Sequence, residues 1–390
     1  MIRQAAAMTR VNLQSLPQRW GSALIDVFGV ACVVAVFVGL FSIVASYKSI
    51  LLSNADDSTL LVMKNGAEIE SDSQLSQDTV ASIETAAKAA DANAQISPEM
   101  SRLIGVKRSG GGDYVNVSLR GVTPAAFTIR SAFKLTEGRL IQSGRYELIA
   151  GRASQQQFAG LHVGNTLHLA DTDWTIVGVF EAGGGAVESE VWADLPVLQS
   201  AFRLGNGVHS VRVKPTRAQA AAAFERRLKE TSTLGVGVQL ESAYYQRSVQ
   251  RLFQILKYFS YPLLIVMVVG AVFAALNTMY GAVAARTKEI GTARALGFGG
   301  AAVALSVVLE SLLLALFGSA IGIALIYFAL DGLQANTNFL GDTQYAFSFV
   351  VSAELMRQGV LWALAIGLLG GLFPALRAGR MPIVRALSEV

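Results

Sequence analysis

Four long apolar runs set the frame of the chain. Residues 27–46 contain no charge, and a helix rising about 1.5 Å per residue needs about 20 residues to cross roughly 30 Å of hydrocarbon. A cleaved leader has an apolar core of about 7 to 15 residues, so this longer run predicts a membrane anchor. The second run, 258–285, is bounded by Lys257 and Arg286. The third follows Arg294 and reaches Leu330, interrupted by Glu310, so its first part is expected at the membrane surface. The fourth, 358–376, lies between Arg357 and Arg377. Four spans put both termini on one side.

The stretch between the first two runs has a different pattern. About 210 residues are enough for a domain with its own core. Segments 60–64, 114–121, 166–169, 174–180 and 208–213 are short and rich in β-branched or aromatic residues, which predicts strands. Segments 79–90 and 217–229 have helical composition, so the domain reads as α+β. Glycine triplets at 110–112 and 183–185 read as turns, because neither has the Lys-Ser/Thr ending of a phosphate-binding loop. From Tyr244 the period becomes helical: Tyr245, Val249, Leu252 and Leu256 share one face, while Arg247, Gln250, Arg251 and Gln254 take the others. No glycine or proline intervenes before Pro262, so this helix is expected to run into the second span, with a kink near the proline. It reads equally as a movement-transmitting stalk or as an amphipathic helix packed on its own domain. At the N-terminus, Ile2, Ala6, Thr9, Leu13 and Leu16 recur at helical spacing, with Arg3 and Arg10 on another face and Pro17 ending the run, as in a helix lying along a membrane surface.

Composition agrees with the spans. Hydrophobic residues make up 52%, charged residues 15%, and mean hydropathy is +0.45, whereas an average soluble chain carries about 25% charge. The net charge of +4 does not mark a nucleic-acid binder, because between Lys48 and Lys257 there are 22 Lys and Arg against 21 Asp and Glu. The excess cations sit beside the spans: Arg3, Arg10 and Arg19 at the start, Arg286, Lys288 and Arg294 between the second and third runs, and Arg377, Arg380 and Arg385 in the tail. By the positive-inside rule these segments are cytoplasmic, and the large domain and the 331–357 loop lie outside. Cys32 falls within an apolar run and reads as a small buried hydrophobe.

Catalytic chemistry is not apparent. His162 and His168 lie six apart around a glycine, and with His209 they read as ordinary strand or loop residues. HExxH, GxSxG and GxxxxGK[ST] do not occur in the sequence. Glu310 is the acid well inside a run; it could sit in a proton or substrate path, but the reading preferred is structural, with the side chain near the inner surface against a helix end or basic loop, and Asn277 is read in the same way. Gly318 with Gly322, and Gly367 with Gly371, form small-xxx-small faces suited to close helix packing. The segment of greatest interest is 286–297, RTKEIGTARALG. Here Arg286, Lys288, Glu289 and Arg294 could meet charged groups on a partner while Ile290 and Leu296 supply apolar contact, and Gly291 and Gly297 bracket a turn or two of helix.

These motifs carry a resemblance. NTM at 277–279, the 286–297 segment, Glu310-Ser and Gly318 resemble the core signature of MacB/FtsX-like permeases of ABC transporters. GGLFPALRAGRMPIVRAL at 370–387 is similar to the family's C-terminal signature, and NLQSLPQRWGSAL at 12–24 to its entry into the first span. The resemblance implies a cytoplasmic amphipathic helix (1–22), a first transmembrane helix (23–46) and an extracytoplasmic MacB-like α+β domain (47–243). It then implies a stalk and second transmembrane helix (244–285), a cytoplasmic coupling helix (286–300), a third span (301–330), an outside loop (331–357), a fourth span (358–376) and a cytoplasmic tail (377–390).

It further implies a permease dimer, expected to be a homodimer, in a bacterial inner membrane, with no cofactor of its own and ATP and Mg acting through the dimer of a separately encoded ABC ATPase. Movement of stalk and outside domain driven by that ATPase is termed mechanotransmission. The size of the outside domain points toward the DevC-like, tripartite-efflux and Lol-like branches, the first two implying a periplasmic adaptor and an outer-membrane duct. The expected function is export or extraction of an amphiphilic or bulky substrate. The alternative is a signalling scaffold that activates a cell-wall hydrolase.

Overall fold

The computed structural model describes residues 2–14, 20–53, 55–109, 114–231, 234–331, 333–336 and 346–382. The glycine triplet at 110–112, Leu16, Pro17 and Arg19, and the tail beyond residue 382 lie outside them. The chain forms two compact units, one of Met1–Ala45, Phe253–Leu333 and Phe349–Val390, the other of Ser46–Leu252 and Gln334–Ser348.

The first unit is helical. Helix α1 (Ile2–Gln14) precedes α2 (Trp20–Leu52); the chain returns in α8 (Glu241–Ala285), α9 (Thr287–Ala295), α10 (Gly300–Leu330) and α11 (Ala353–Arg380). Among the described residues α2, α8, α10 and α11 are long and apolar enough to cross a membrane. Ser352 caps α11 by accepting from the Leu355 amide at 3.4 Å. Val30, Val34 and Val38 of α2, Ala271 of α8, Ala315 of α10 and Ile366 of α11 make one apolar core. Small residues permit this closeness: a Cβ on Gly318 would lie 2.7 Å from the Val27 carbonyl oxygen, and one on Gly322 would lie 2.5 Å from that of Ala31. Gly367 and Gly371 face Ala315 and Ser311 of α10 in the same manner. Both glycine pairs are thus spent on contacts within one chain.

The second unit contains the intervening domain. Its elements are β1 (Leu60–Lys64), α3 (Gln77–Ala90), β2 (Gln95–Lys107), β3 (Tyr114–Val122), α4 (Ala125–Ile129), β4 (Phe133–Gly138), β5 (Glu147–Gly151), α5 (Arg152–Gln157), β6 (Thr166–Leu169), β7 (Thr172–Ala182), β8 (Val191–Asp194), α6 (Leu195–Ala201), β9 (Ser210–Lys214), α7 (Ala218–Glu230) and β10 (Val236–Leu240). They build a mixed sheet of order β10-β1-β9-β2-β3-β8-β5-β7-β4, with β6 paired to β7. A separate pair, β11 (Gln334–Asn336) and β12 (Ala346–Ser348), comes from the loop between α10 and α11.

Alternation along the strands divides the domain's core. Val62, Ile83, Leu119, Val211, Val213 and Phe224 share a cluster with α3 and α7, whereas Ile149, Phe180 and Trp192 pack in a second one with Phe133. The Gly183–Gly185 segment is a turn. Gly183 and Gly184 take φ of 62° and 75°, and the Glu188 carboxylate accepts from the amides of Ala182 and Gly184. Strand β1 pairs antiparallel with β10 from Leu60↔Leu240 to Lys64↔Val236. The strand that follows α2 and the strand that enters α8 are therefore neighbours. Helix α8 starts at Glu241, three residues before the expected Tyr244, and runs through Pro262 without ending.

Candidate coupling site

The segment between α8 and α10 folds as a short helix set off by two backbone devices. Arg286, at φ −109° and ψ 17°, interrupts α8 before α9 begins. Gly297, at φ 97°, ends the following turn in a left-handed conformation that disfavours any side chain. Between them, burial alternates with helical period. Thr287, Ile290 and Gly291 face inward, while Lys288, Glu289, Thr292, Ala295 and Leu296 are exposed, Leu296 by 78%.

The inward face is built from this chain's own groups. Ile290 packs with Met279 and Val283 of α8, Val303 and Val307 of α10, and Ala375 and Ala378 of α11. The Arg286 side chain is also buried. Its Nη2 donates to Glu310 Oε2 at 2.7 Å, and its Nε donates to the Ala282 carbonyl at 3.2 Å. Arg294 donates to the Met381 carbonyl after α11. Glu310 thus has the basic partner beside it that its place in an apolar run called for.

The residues grouped as one contact surface by sequence therefore divide in two. Arg286, Ile290 and Gly291 are enclosed, Arg294 is half-buried and anchored, and Lys288, Glu289, Leu296 and Gly297 are outward. Asn277 lies on the exposed side of α8 and has no hydrogen-bond partner among the described residues. Helix α1 belongs to the same region: Asn12 Nδ2 donates to Ser306 Oγ of α10 at 3.4 Å, and Met8 packs against the cluster around Ile290.

Two groups escaped the sequence reading. Asp26 of α2 is 5% exposed, beside Thr278 of α8, and its Oδ1 has no hydrogen-bond partner among the described residues. It stands just before the charge-free run, and an acid flanking a span was the available signal. The other is a cluster of buried arginines and glutamates in the sheet domain, whose members are scattered through the sequence and become neighbours only when β2, β3 and β9 pair.

Residues 23–231 match the model of the MacB-like periplasmic core domain, and residues 262–383 match that of the FtsX-like permease C-terminal domain. The chain belongs to the MacB/FtsX-like ABC transporter permeases. A relative of this family, the macrolide export ATP-binding/permease protein MacB of Pasteurella multocida, is 27% identical over 293 residues, covering 70% of this chain and 43% of the relative. The protein of the same name from Shewanella oneidensis is 22% identical over 329 residues, covering 77% and 49% respectively. The chain thus spans about half the length of the curated relatives it matches. Among solved structures, the periplasmic region of MacB from Actinobacillus actinomycetemcomitans aligns with a TM-score of 0.37 at 13% identity, covering 49% of this chain and 92% of that one. The extracellular domain of the ABC-type transporter YknZ from Gram-positive bacteria aligns with a TM-score of 0.36 at 15% identity, covering 46% and 99%. In this MacB/FtsX-like permease the α9 segment falls within the FtsX-like match, and the whole ten-stranded sheet apart from β10 falls within the MacB-like one.

Proposed function

We propose that this chain is the permease subunit of an ABC exporter, in which a separate ATPase dimer moves the membrane helices and, through them, the sheet domain. The observation carrying this reading is the division of α9 into an anchored inner face and an exposed outer one. A partner pressing on Lys288, Glu289 and Leu296 would displace a helix whose other side is held by Ile290 and by the Arg286–Glu310 pair. ATP and Mg act in the partner, and this chain supplies the handle. Family membership implies an ABC ATPase.

Cation placement favours α9 and both termini in the cytoplasm and the sheet domain outside, as in a bacterial inner-membrane permease. Two copies of the chain would match the two halves of an ATPase dimer. The relatives are named for macrolide export, and macrolides are bulky amphiphiles. Substrates of that class, taken from the outer leaflet or periplasm and passed to an adaptor and an outer-membrane duct, fit the same reading.

Mild-detergent affinity purification from the native host tests it. Co-purification of an ABC ATPase with a periplasmic adaptor is the expected result, and Lys288→Glu with Glu289→Lys is expected to reduce ATPase recovery at least tenfold. Purification without any ABC ATPase would overturn the proposal. A cell-wall hydrolase in place of the adaptor would redirect it to the signalling alternative.

A further inference from the structure

Strand β9 carries its polar residues on one face. Ser210, Arg212 and Lys214 alternate with Val211 and Val213, which enter the apolar core. Arg212 is 0% exposed and holds three carboxylates: Nη2 donates to Glu70 at 2.7 Å, Nη1 to Glu99 at 2.8 Å, and Nε to Glu241 at 2.8 Å. Two of these acids are also held from elsewhere in the domain. Arg130 makes a two-pronged contact with Glu99 at 2.7 and 2.8 Å, and Arg120 binds Glu70 at 2.7 Å while clamping Glu190 at 2.6 and 2.7 Å. Glu241 is the exception, because it is the first residue of α8.

Two residues along β9, Lys214 Nζ lies 2.6 Å from Asp56 Oδ2, in the link between α2 and β1, and donates to the Ile129 carbonyl at 2.9 Å. One interior strand, third from the β10 edge, thus binds both segments through which the domain joins the membrane helices. Buried ion pairs stabilise a fold little compared with apolar side chains of the same volume, and their best-attested use is to fix one arrangement against alternatives. Here the arrangement fixed is that of helix ends on a sheet.

We propose that β9 is a clasp, Arg212 holding the head of α8 through Glu241 and Lys214 holding the α2–β1 junction through Asp56, so that displacement of either helix is passed into the sheet and, through Glu99 and Arg120, on to β2 and β3. This rests on the exporter reading for its purpose but not for its test. Burial pushes the Glu99 carboxyl up, and Arg130 and Arg212 more than offset that, holding it at about 2, so Glu99 is ionised at neutral pH.

Glu241→Gln is the informative variant, because Arg212 keeps Glu70 and Glu99 and the fold should survive. Hydrogen exchange on the full chain in nanodiscs is expected to show amides 245–249 exchanging at least tenfold faster, with β5 and β7 unchanged. Glu241→Asp should recover part of the protection, and Lys214→Met should loosen residues 55–60 in the same local manner. Wild-type exchange in α8, or acceleration spread evenly over the sheet, would overturn the clasp.

The second measurement uses the complex with its ATPase and spin labels at exposed positions 85 and 226, on α3 and α7, each paired with position 254. Addition of ATP is expected to move the labels in wild type, and in Glu241→Gln that movement should change by at least half while ATP turnover persists. A wild-type domain that does not move would sink the exporter reading, leaving the clasp to stand or fall on the exchange result. Wild-type movement that is unchanged in the variant would sink the clasp alone.

Discussion

Arg286 and Glu310, 24 residues apart in sequence, form an ion pair at 2.7 Å with side chains only 6% and 1% exposed. Removing one partner breaks this buried charge pair, which typically costs about 3 to 5 kcal/mol. Arg286→Ala and Glu310→Leu are each expected to lower the thermal unfolding temperature in detergent by several degrees. The double replacement Arg286→Met with Glu310→Leu should recover most of the loss. Equal, additive losses in a double-mutant cycle would show that the pair does not act as a unit.

The two faces of α9 separate binding from folding. Leu296→Asp changes a side chain that is 78% exposed and should leave stability within about 0.5 kcal/mol of wild type while weakening ATPase capture. Ile290→Asp places a carboxylate among Met279, Val283, Val303 and Val307 and is expected to impair folding. Unfolding curves recorded beside partner binding would distinguish them; loss of stability in Leu296→Asp would contradict the exposed face.

Gly322 permits α10 to touch α2. A Cβ there would meet the Ala31 carbonyl oxygen at 2.5 Å and the Ala31 Cα at 3.1 Å, both backbone atoms that cannot swing aside. Gly322→Ala should cost about 1 to 3 kcal/mol through forced separation of the helices. Gly281→Ala, with open space around it, is the control and should cost nothing measurable by thermal unfolding.

The buried charges of the sheet domain also set an acid limit. Burial raises the carboxyls of Glu99 and Asp56, but the arginines around Glu99, and Lys214 with Ser58 beside Asp56, outweigh it and leave both at about 2, below their ordinary 4.5 and 3.8. Glu70 is held well below 4.5 by Arg120 and Arg212 against the same burial effect. A depressed folded-state value contributes stability that is complete above the unfolded value and is lost as pH falls through the folded one. The domain should therefore hold its stability down to about pH 5 and lose it progressively toward pH 2. Trp192, whose Nε1 donates to Glu190 at 2.8 Å, is a fluorescent reporter of that transition; a midpoint above pH 5 would contradict it.

The membrane helices were legible because apolar length is a property of contiguous residues. Strands β1 and β6 were equally plain, as runs whose composition suited their state. Strand β2 was not: it contains Pro98, Glu99 and Arg102, and the Glu99 carboxylate is satisfied by arginines brought from β3, β9 and the residue after α4. Strand β8 is four residues long, too short for alternation to register. In the 286–297 segment a short helix was legible, but its residues could not be assigned to faces. An arginine in a basic connection looks the same whether it meets solvent or an acid 24 positions away, and only packing against α10 decided between them.

The antiparallel pairing of β1 with β10 has a mechanical consequence. Because Leu60↔Leu240 is the pair nearest both α2 and α8, forces drawing the two helix ends apart would act on the ladder as on a zipper, loading one pair of hydrogen bonds at a time. Forces along the strands would instead load the ladder in shear, all pairs together. The weak direction begins at the place where the Glu241 amide donates to the Thr59 carbonyl at 2.9 Å and Arg212 grips the Glu241 carboxylate. Peeling is resisted first by charge, before any strand pair opens.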